Sequence, residues 1–285
     1  MKLWDKNNSV NEKIIEFTVG DDRLNDLYLI KYDIKASISH AKMLHRSNLL
    51  SETECDKIIK ILNEILIHAE AGKLKIEKEF EDMHSKIEFV LTDKLGDIGK
   101  KIHTARSRND QVLVSIQLYL IDELNFIKTE VKSLFDLLIN LAKKNKNIIM
   151  PGYTHMRAAM PSSFGLWFSA YAEILIDDVI SLNSTIEIIN QNTLGSAAGY
   201  GTSFNIDRDF TTNDLNFKTL KYNSLACQIS RNKIEKNTFD TLGNIAFTLS
   251  KISMDICLYY GDEFQFISFP ENITTGSSIM PHKKN

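Results

Sequence analysis

Proline is nearly missing from this chain, with only Pro151, Pro161, Pro270 and Pro281 in 285 residues. Between Asp110 and Met150 there is neither proline nor glycine, so nothing there forbids a long helix. Cysteine is scarce too. Cys55, Cys227 and Cys257 lie far apart with no Cys-x-x-Cys pair, which argues against a disulfide scaffold and suits a reducing cytoplasm. Neither charge sign dominates: 34 Lys and Arg against 37 Asp and Glu leave −3, no general electrostatic reason to bind nucleic acid or an anionic membrane. No stretch approaches the ~20 apolar residues of a membrane span, and the first eight residues lack a signal-peptide core. Gly195, Gly199 and Gly201 cluster, but in no phosphate-loop or dinucleotide order, so a turn with unusual backbone angles is expected and no nucleotide cofactor.

What is present is helical periodicity. Leu24, Leu27, Ile30, Ile34 and Ile38 predict a helix from about Arg23 to Arg46. A second should cover Glu52 to Ala71, capped by Ser51 and ended by Gly72. A third should run from Phe80 to Leu95, broken by Gly96 and Gly99. Longer ladders follow. Apolar steps of three or four from Val112 to Leu141 predict a helix over Asp110 to Lys144, about 50 Å long at 1.5 Å per residue. Phe168 to Ile189 repeats the pattern with a coiled-coil-like seam, and Phe239 to Tyr259 forms a third ladder. The expectation is an all-α protein with a small helical N-terminal domain, 1–108, and a long-helix bundle, 109–285. Leu113, Leu118, Ile121, Trp167 and Ile174 lie off the main stripes, so several faces need covering and subunit association is the economical inference.

Three segments concentrate polar chemistry. Ile102 to Gln111 reads Ile-His-Thr-Ala-Arg-Ser-Arg-Asn-Asp-Gln at the mouth of the first long helix, where unpaired N–H groups and the dipole favour carboxylates. It fits a carboxylate site and an ordinary polar cap, with Asn109 or Asp110 capping, about equally. Thr154 and His155 sit in a loop bounded by Pro151 and Pro161, where a titratable ring beside a hydroxyl is a fair acid/base candidate. Gly276-Ser277-Ser278 followed by Lys283 and Asn285 supplies backbone donors and a cation, but Gly-Ser loops are also common surface features. His84 and Glu88 share a helix face, two potential metal ligands without a third.

Taken together and in this order, the three segments resemble the signature regions of the aspartase/fumarase superfamily, and the wording from His103 to Val112 resembles its argininosuccinate lyase family. The resemblance runs from about Phe17 to the end. It implies β-elimination of a C–N bond, giving arginine and fumarate, in arginine biosynthesis, without cofactor or metal. It implies a cytoplasmic homotetramer whose active sites combine loops from different subunits. Carried over by position, Ser277 and His155 are the catalytic pair, with Ser277 favoured as base and His155 as acid. Ser107, Arg108, Asn109, Thr154, Ser278, Lys283 and Asn285 hold substrate, and Asp22 falls on or beside the position of a substrate-binding serine. The alternatives are a sister lyase acting on adenylosuccinate, aspartate or fumarate, and a non-catalytic helical scaffold.

The chain departs from that family at Met156-Arg157, where Leu-Gln is usual, at His282, where Gln is usual, and at Asp22. It also ends inside the third motif, so a fragment is expected, inactive or poorly folded by itself for want of cover on its apolar faces.

Overall fold

A computed structural model describes residues 12–284; Asn285, expected to hold substrate, lies outside the described residues. The elements in order are α1 (Glu12–Val19), α2 (Asp22–Arg46), α3 (Glu52–Glu70), α4 (Met83–Leu95), α5 (Asp97–Lys100), α6 (Arg108–Lys144), β1 (Ile149–Thr154), β2 (Arg157–Ser163), α7 (Phe164–Ile189), β3 (Gln191–Asn192), α8 (Arg208–Asp214), β4 (Thr219–Leu220), α9 (Ser224–Ile229) and α10 (Lys233–Tyr260). The fold is all-α in character, with two small two-stranded pairings. No helix among the described residues is long and apolar enough to cross a membrane.

The chain divides into two compact units, Met1–Asn125 with Thr185–Lys236, and Phe126–Ser184 with Asn237–Asn285. In the first, α2, α3 and α4 bury Ile34, Leu44, Ile58, Leu62, Ile87 and Leu91 in one core. The start of α3 is fixed by reciprocal bonds: Glu54 N–H donates to Ser51 Oγ, and Ser51 N–H to Glu54 Oε2. Gly96 ends α4 at a positive φ of 59°, as the spacing predicts. Gly99, expected as a second breaker, instead lies inside α5. Its place is explained by closeness, since a Cβ there would stand 2.2 Å from the Leu91 carbonyl oxygen. The third helix also starts later than Phe80, because Asp82 caps it by accepting the Ser85 N–H.

In the second unit, burial follows heptads on the long helices: Val131 and Leu138, Leu175 and Leu182, and Ile245, Ile252 and Tyr259. Polar crosslinks fix the register, with Thr248 Oγ1 donating to Asp178 at 2.7 Å and Lys128 to Asn183 at 2.6 Å. Large apolar side chains remain exposed on the same helices, among them Phe126, Leu137, Ile180, Phe239, Phe247 and Met254.

Candidate active site

The first unit carries Ser107, Arg108, Asn109 and Asp22. Helix α6 begins at Arg108, two or three residues earlier than the expected caps allow. Ser107 does the capping: its Oγ accepts the Asn109 N–H at 3.2 Å, while Asp110 reaches back to the Ser107 N–H at 2.9 Å. The Arg108 guanidinium is extensively engaged. Its Nε pairs with Asp82 at 3.2 Å, Nη1 faces Glu88 at 3.4 Å and donates to Gln111 at 3.1 Å, and Nη2 donates to Ser85. His103 Nδ1 lies 3.0 Å from the same Glu88 oxygen. Burial pushes the Glu88 carboxyl up, yet the His103 hydrogen bond and the charges of Arg108, His103 and Arg106 together hold it below the usual range. Asp22 opens α2, exposed but raised by partial burial and by the nearby Asp82 and Glu81. Asp82 therefore connects the Asp22 neighbourhood to Arg108.

Beneath this surface lies a buried polar layer. Asp33 meets His84 at 3.0 Å and accepts from Gln111 and Ser115. Burial raises the Asp33 carboxyl, but His84, Arg106 and Gln111 together more than offset it, leaving it lowered. Arg106 donates to Ser37, and His40 Nε2 lies 3.0 Å from the Thr104 carbonyl oxygen.

The second unit carries Thr154, His155, Ser277, Ser278 and Lys283. The expected loop between the prolines is an antiparallel hairpin, β1 against β2, with Pro151 facing Pro161. His155 and Met156 form its tip, both exposed and both left-handed at φ 52° and 61°, the pattern of a type I′ turn. Non-glycine residues pay about 1–2 kcal/mol each for that conformation, and such outliers cluster where function holds them. Tyr153, just before the tip, packs on Phe264 at 5.2 Å and Phe266 at 6.3 Å, tying the hairpin to the segment after α10.

Further along, Gly276 and Lys284 form an antiparallel bridge that closes a loop around Ser277, Ser278 and Lys283. Within it the N–H groups of Ile279 and Met280 donate to Ser277 Oγ at 3.3 and 3.2 Å. Two donors aimed at a hydroxyl oxygen favour its alkoxide, the condition a serine base requires. Lys284 pairs with Glu271 at 2.6 Å, whereas Lys283 has no ion-pair partner among the described residues and is exposed.

Asp110, expected only as a cap, and Glu88, expected only as half of a metal-ligand pair, belong with His103 to the site's surroundings. Asp110 had a sequence signal, since Ser-x-x-Asp at a helix start has the spacing of a reciprocal cap. The contact between Glu88 and His103 had no such signal, since the two stand fifteen residues apart on different elements. Among the described residues no three His, Cys, Asp or Glu side chains converge as metal ligands would.

The sequence profile described as Lyase matches residues 16–285. Argininosuccinate lyase of Phocaeicola vulgatus is 50% identical over 284 residues, covering all of this chain and 64% of that protein. Argininosuccinate lyase of Thermotoga neapolitana is 45% identical, with 100% of this chain matched to 71% of its length. The chain thus spans less than two thirds of the first of these relatives. A solved structure of an EDDS lyase variant with bound fumarate has a TM-score of 0.85 at 24% identity, over 98% of this chain and 55% of that one. A class II fumarase from Schistosoma mansoni has a TM-score of 0.80 at 20% identity, over 100% and 68%. At those identities the structures carry the fold alone, while the sequence matches go further: the chain belongs to the lyase family, on its argininosuccinate lyase branch.

Proposed function

We propose that the protein carrying this chain cleaves argininosuccinate to L-arginine and fumarate, a step of arginine biosynthesis, in the cytoplasm. Ser277 Oγ takes the proton from the carbon beside a carboxylate. The C–H electron pair becomes the new C=C bond as the C–N bond breaks, and the His155 imidazolium gives a proton to the leaving guanidino nitrogen. Thr154, Ser278, Lys283 and the Ser107–Asn109 turn hold the substrate, with Asn285 and the Asp22 region as further contacts. Arg108 contributes mainly through its backbone N–H, because its side chain is already engaged by Asp82, Glu88, Ser85 and Gln111.

The observation that carries this reading is the pair of N–H bonds onto Ser277 Oγ. The sequence likeness to argininosuccinate lyases supports the choice of substrate. We assign 1–108 as an N-terminal helical domain and 109–285 as part of the long-helix domain. The apolar side chains exposed on α6, α7 and α10 support a homotetramer that covers them and shares its sites between subunits.

The test is fumarate absorbance on adding argininosuccinate to the purified full-length protein, with light scattering to read its assembly. Ser277→Ala should lower kcat by about 10²–10⁴-fold and leave the tetramer intact. Turnover surviving that change refutes the base assignment. No fumarate from the unaltered protein refutes the function.

A further inference from the structure

One buried carboxylate ties the 107–109 turn to a segment that has so far had no part in the site. Asp110 is fully enclosed. Its Oδ1 accepts the Ser107 N–H at 2.9 Å, and its Oδ2 accepts the N–H groups of Gly195 and Ala197 at 2.9 and 3.0 Å. Gln117, seven residues on and therefore on the same face of α6, continues the attachment. It donates to the carbonyls of Ile189 and Gln191 and accepts from Thr193 Oγ1 at 2.7 Å. Gly195 and Ala197 both have positive φ, 83° and 53°, which turns two N–H groups onto one oxygen. At Ala197 that conformation works against its own Cβ, so the segment is held in place by its partners.

We propose that Asp110 is a positioning residue: it sets the Ser107–Asn109 turn for the substrate carboxylate and couples the Gly195–Ala197 segment to that turn as one rigid edge. The proposal rests on the reading of the 107–109 turn as substrate-holding. The position calls for a carboxylate, since three N–H groups converge on it and none of its atoms donates. An amide offers one accepting oxygen. With that oxygen on Gly195 and Ala197, its NH2 confronts the Ser107 N–H, so Asp110→Asn unhooks the turn and spares the other tether.

In the full-length protein, Asp110→Asn should raise KM for argininosuccinate about tenfold, equivalent to about 1.4 kcal/mol, with kcat within about twofold, the pattern of lost uniform binding. Ile58→Ala, in the core of the first unit, should lower the thermal midpoint and leave KM alone, which separates positioning from general loosening. An unchanged KM in Asp110→Asn, or a fall in kcat with KM unchanged, overturns the proposal while fumarate release by the unaltered protein keeps the functional reading intact. Absence of fumarate release by the unaltered protein overturns both. Should the variant not fold, amide exchange in the unaltered protein decides: fumarate should slow the Ser107, Gly195 and Ala197 amides together, and protection confined to 107–109 overturns the coupling.

Discussion

Replacing His40 with glutamine should make the first unit less sensitive to acid. His40 is fully enclosed, and its Nε2–H donates to the Thr104 carbonyl, just before the turn that opens α6. Its Nδ1 has no hydrogen-bond partner among the described residues. Protonation would place a second N–H in that unpartnered position, close to the Arg106 charge. Burial and Arg106 together push the imidazole from 6.5 down to about 3, against the smaller upward pull of the Thr104 hydrogen bond. The unfolded chain takes up its proton near pH 6.5, while the folded chain refuses it until about 3. Stability attached to the neutral ring is therefore complete above 6.5 and is lost as the pH falls through that window, at about 1.4 kcal/mol per unit.

At pH 5 this amounts to about 2 kcal/mol. Asp26 and Asp110 work the other way, because their folded carboxyls are raised by burial and accept protons sooner than in the unfolded chain. Both are present in wild type and variant, so they cancel in the comparison. The glutamine side chain introduced by His40→Gln can keep the donor to Thr104 but cannot titrate. The assay is native-state amide exchange in α2 of the full-length protein at pH 7.5 and pH 5, which reads opening of the unit holding His40. His40→Gln should be the less stable protein at pH 7.5, and the gap should narrow by about 2 kcal/mol at pH 5. A gap that stays constant would mean that the buried ring is not what resists the proton, and the reasoning fails.

Other substitutions probe other levels. Gly99→Ala sets a Cβ against the Leu91 backbone, which cannot swing aside, and should cost about 1–3 kcal/mol in urea unfolding; an unchanged midpoint would refute the close approach. Asp255→Ala removes the acceptor shared by Trp167 Nε1 at 2.9 Å and the Tyr171 hydroxyl at 2.6 Å. It should destabilise by about 1–3 kcal/mol and shift the Trp167 emission, whereas an unmoved spectrum would show that the indole lacks this partner. Glu88→Gln discharges the acceptor between His103 and Arg108 and should cost about 1.5–3 kcal/mol at pH 7, the worth of a hydrogen bond to a charged group. Because the folded Glu88 carboxyl is lowered, its contribution is present above the unfolded value of 4.5 and is lost as the pH falls below it. The variant should therefore close on the wild type in acid, and parallel stability curves would contradict the pairing.

How far the sequence could be read depended on how local the cause was. The ladders on α6, α7 and α10 were legible because burying a stripe is a periodic demand, and the scarcity of proline and glycine left nothing to contradict it. Ser51 was legible as a cap because a cap is settled within four residues, and Glu54 completes it from within that span. The hairpin was not. Pro151 and Pro161 usually demote a strand, and a type I′ turn normally advertises itself with Asn-Gly, not with His155 and Met156. Those two residues adopt left-handed angles that their own side chains oppose, so the turn is imposed by its surroundings. Tyr153 against Phe264 and Phe266 is one contact that holds the hairpin, and it spans more than a hundred residues. The polar layer was hidden in the same way: Asp33 and His84, or Glu88 and Arg108, meet only after α2 and α4 have packed beside the start of α6. At this site residue identity alone suggested which groups could do chemistry. Whether each is engaged, as the Arg108 side chain is, or without an ion-pair partner among the described residues, as Lys283 is, depends on what other elements contribute.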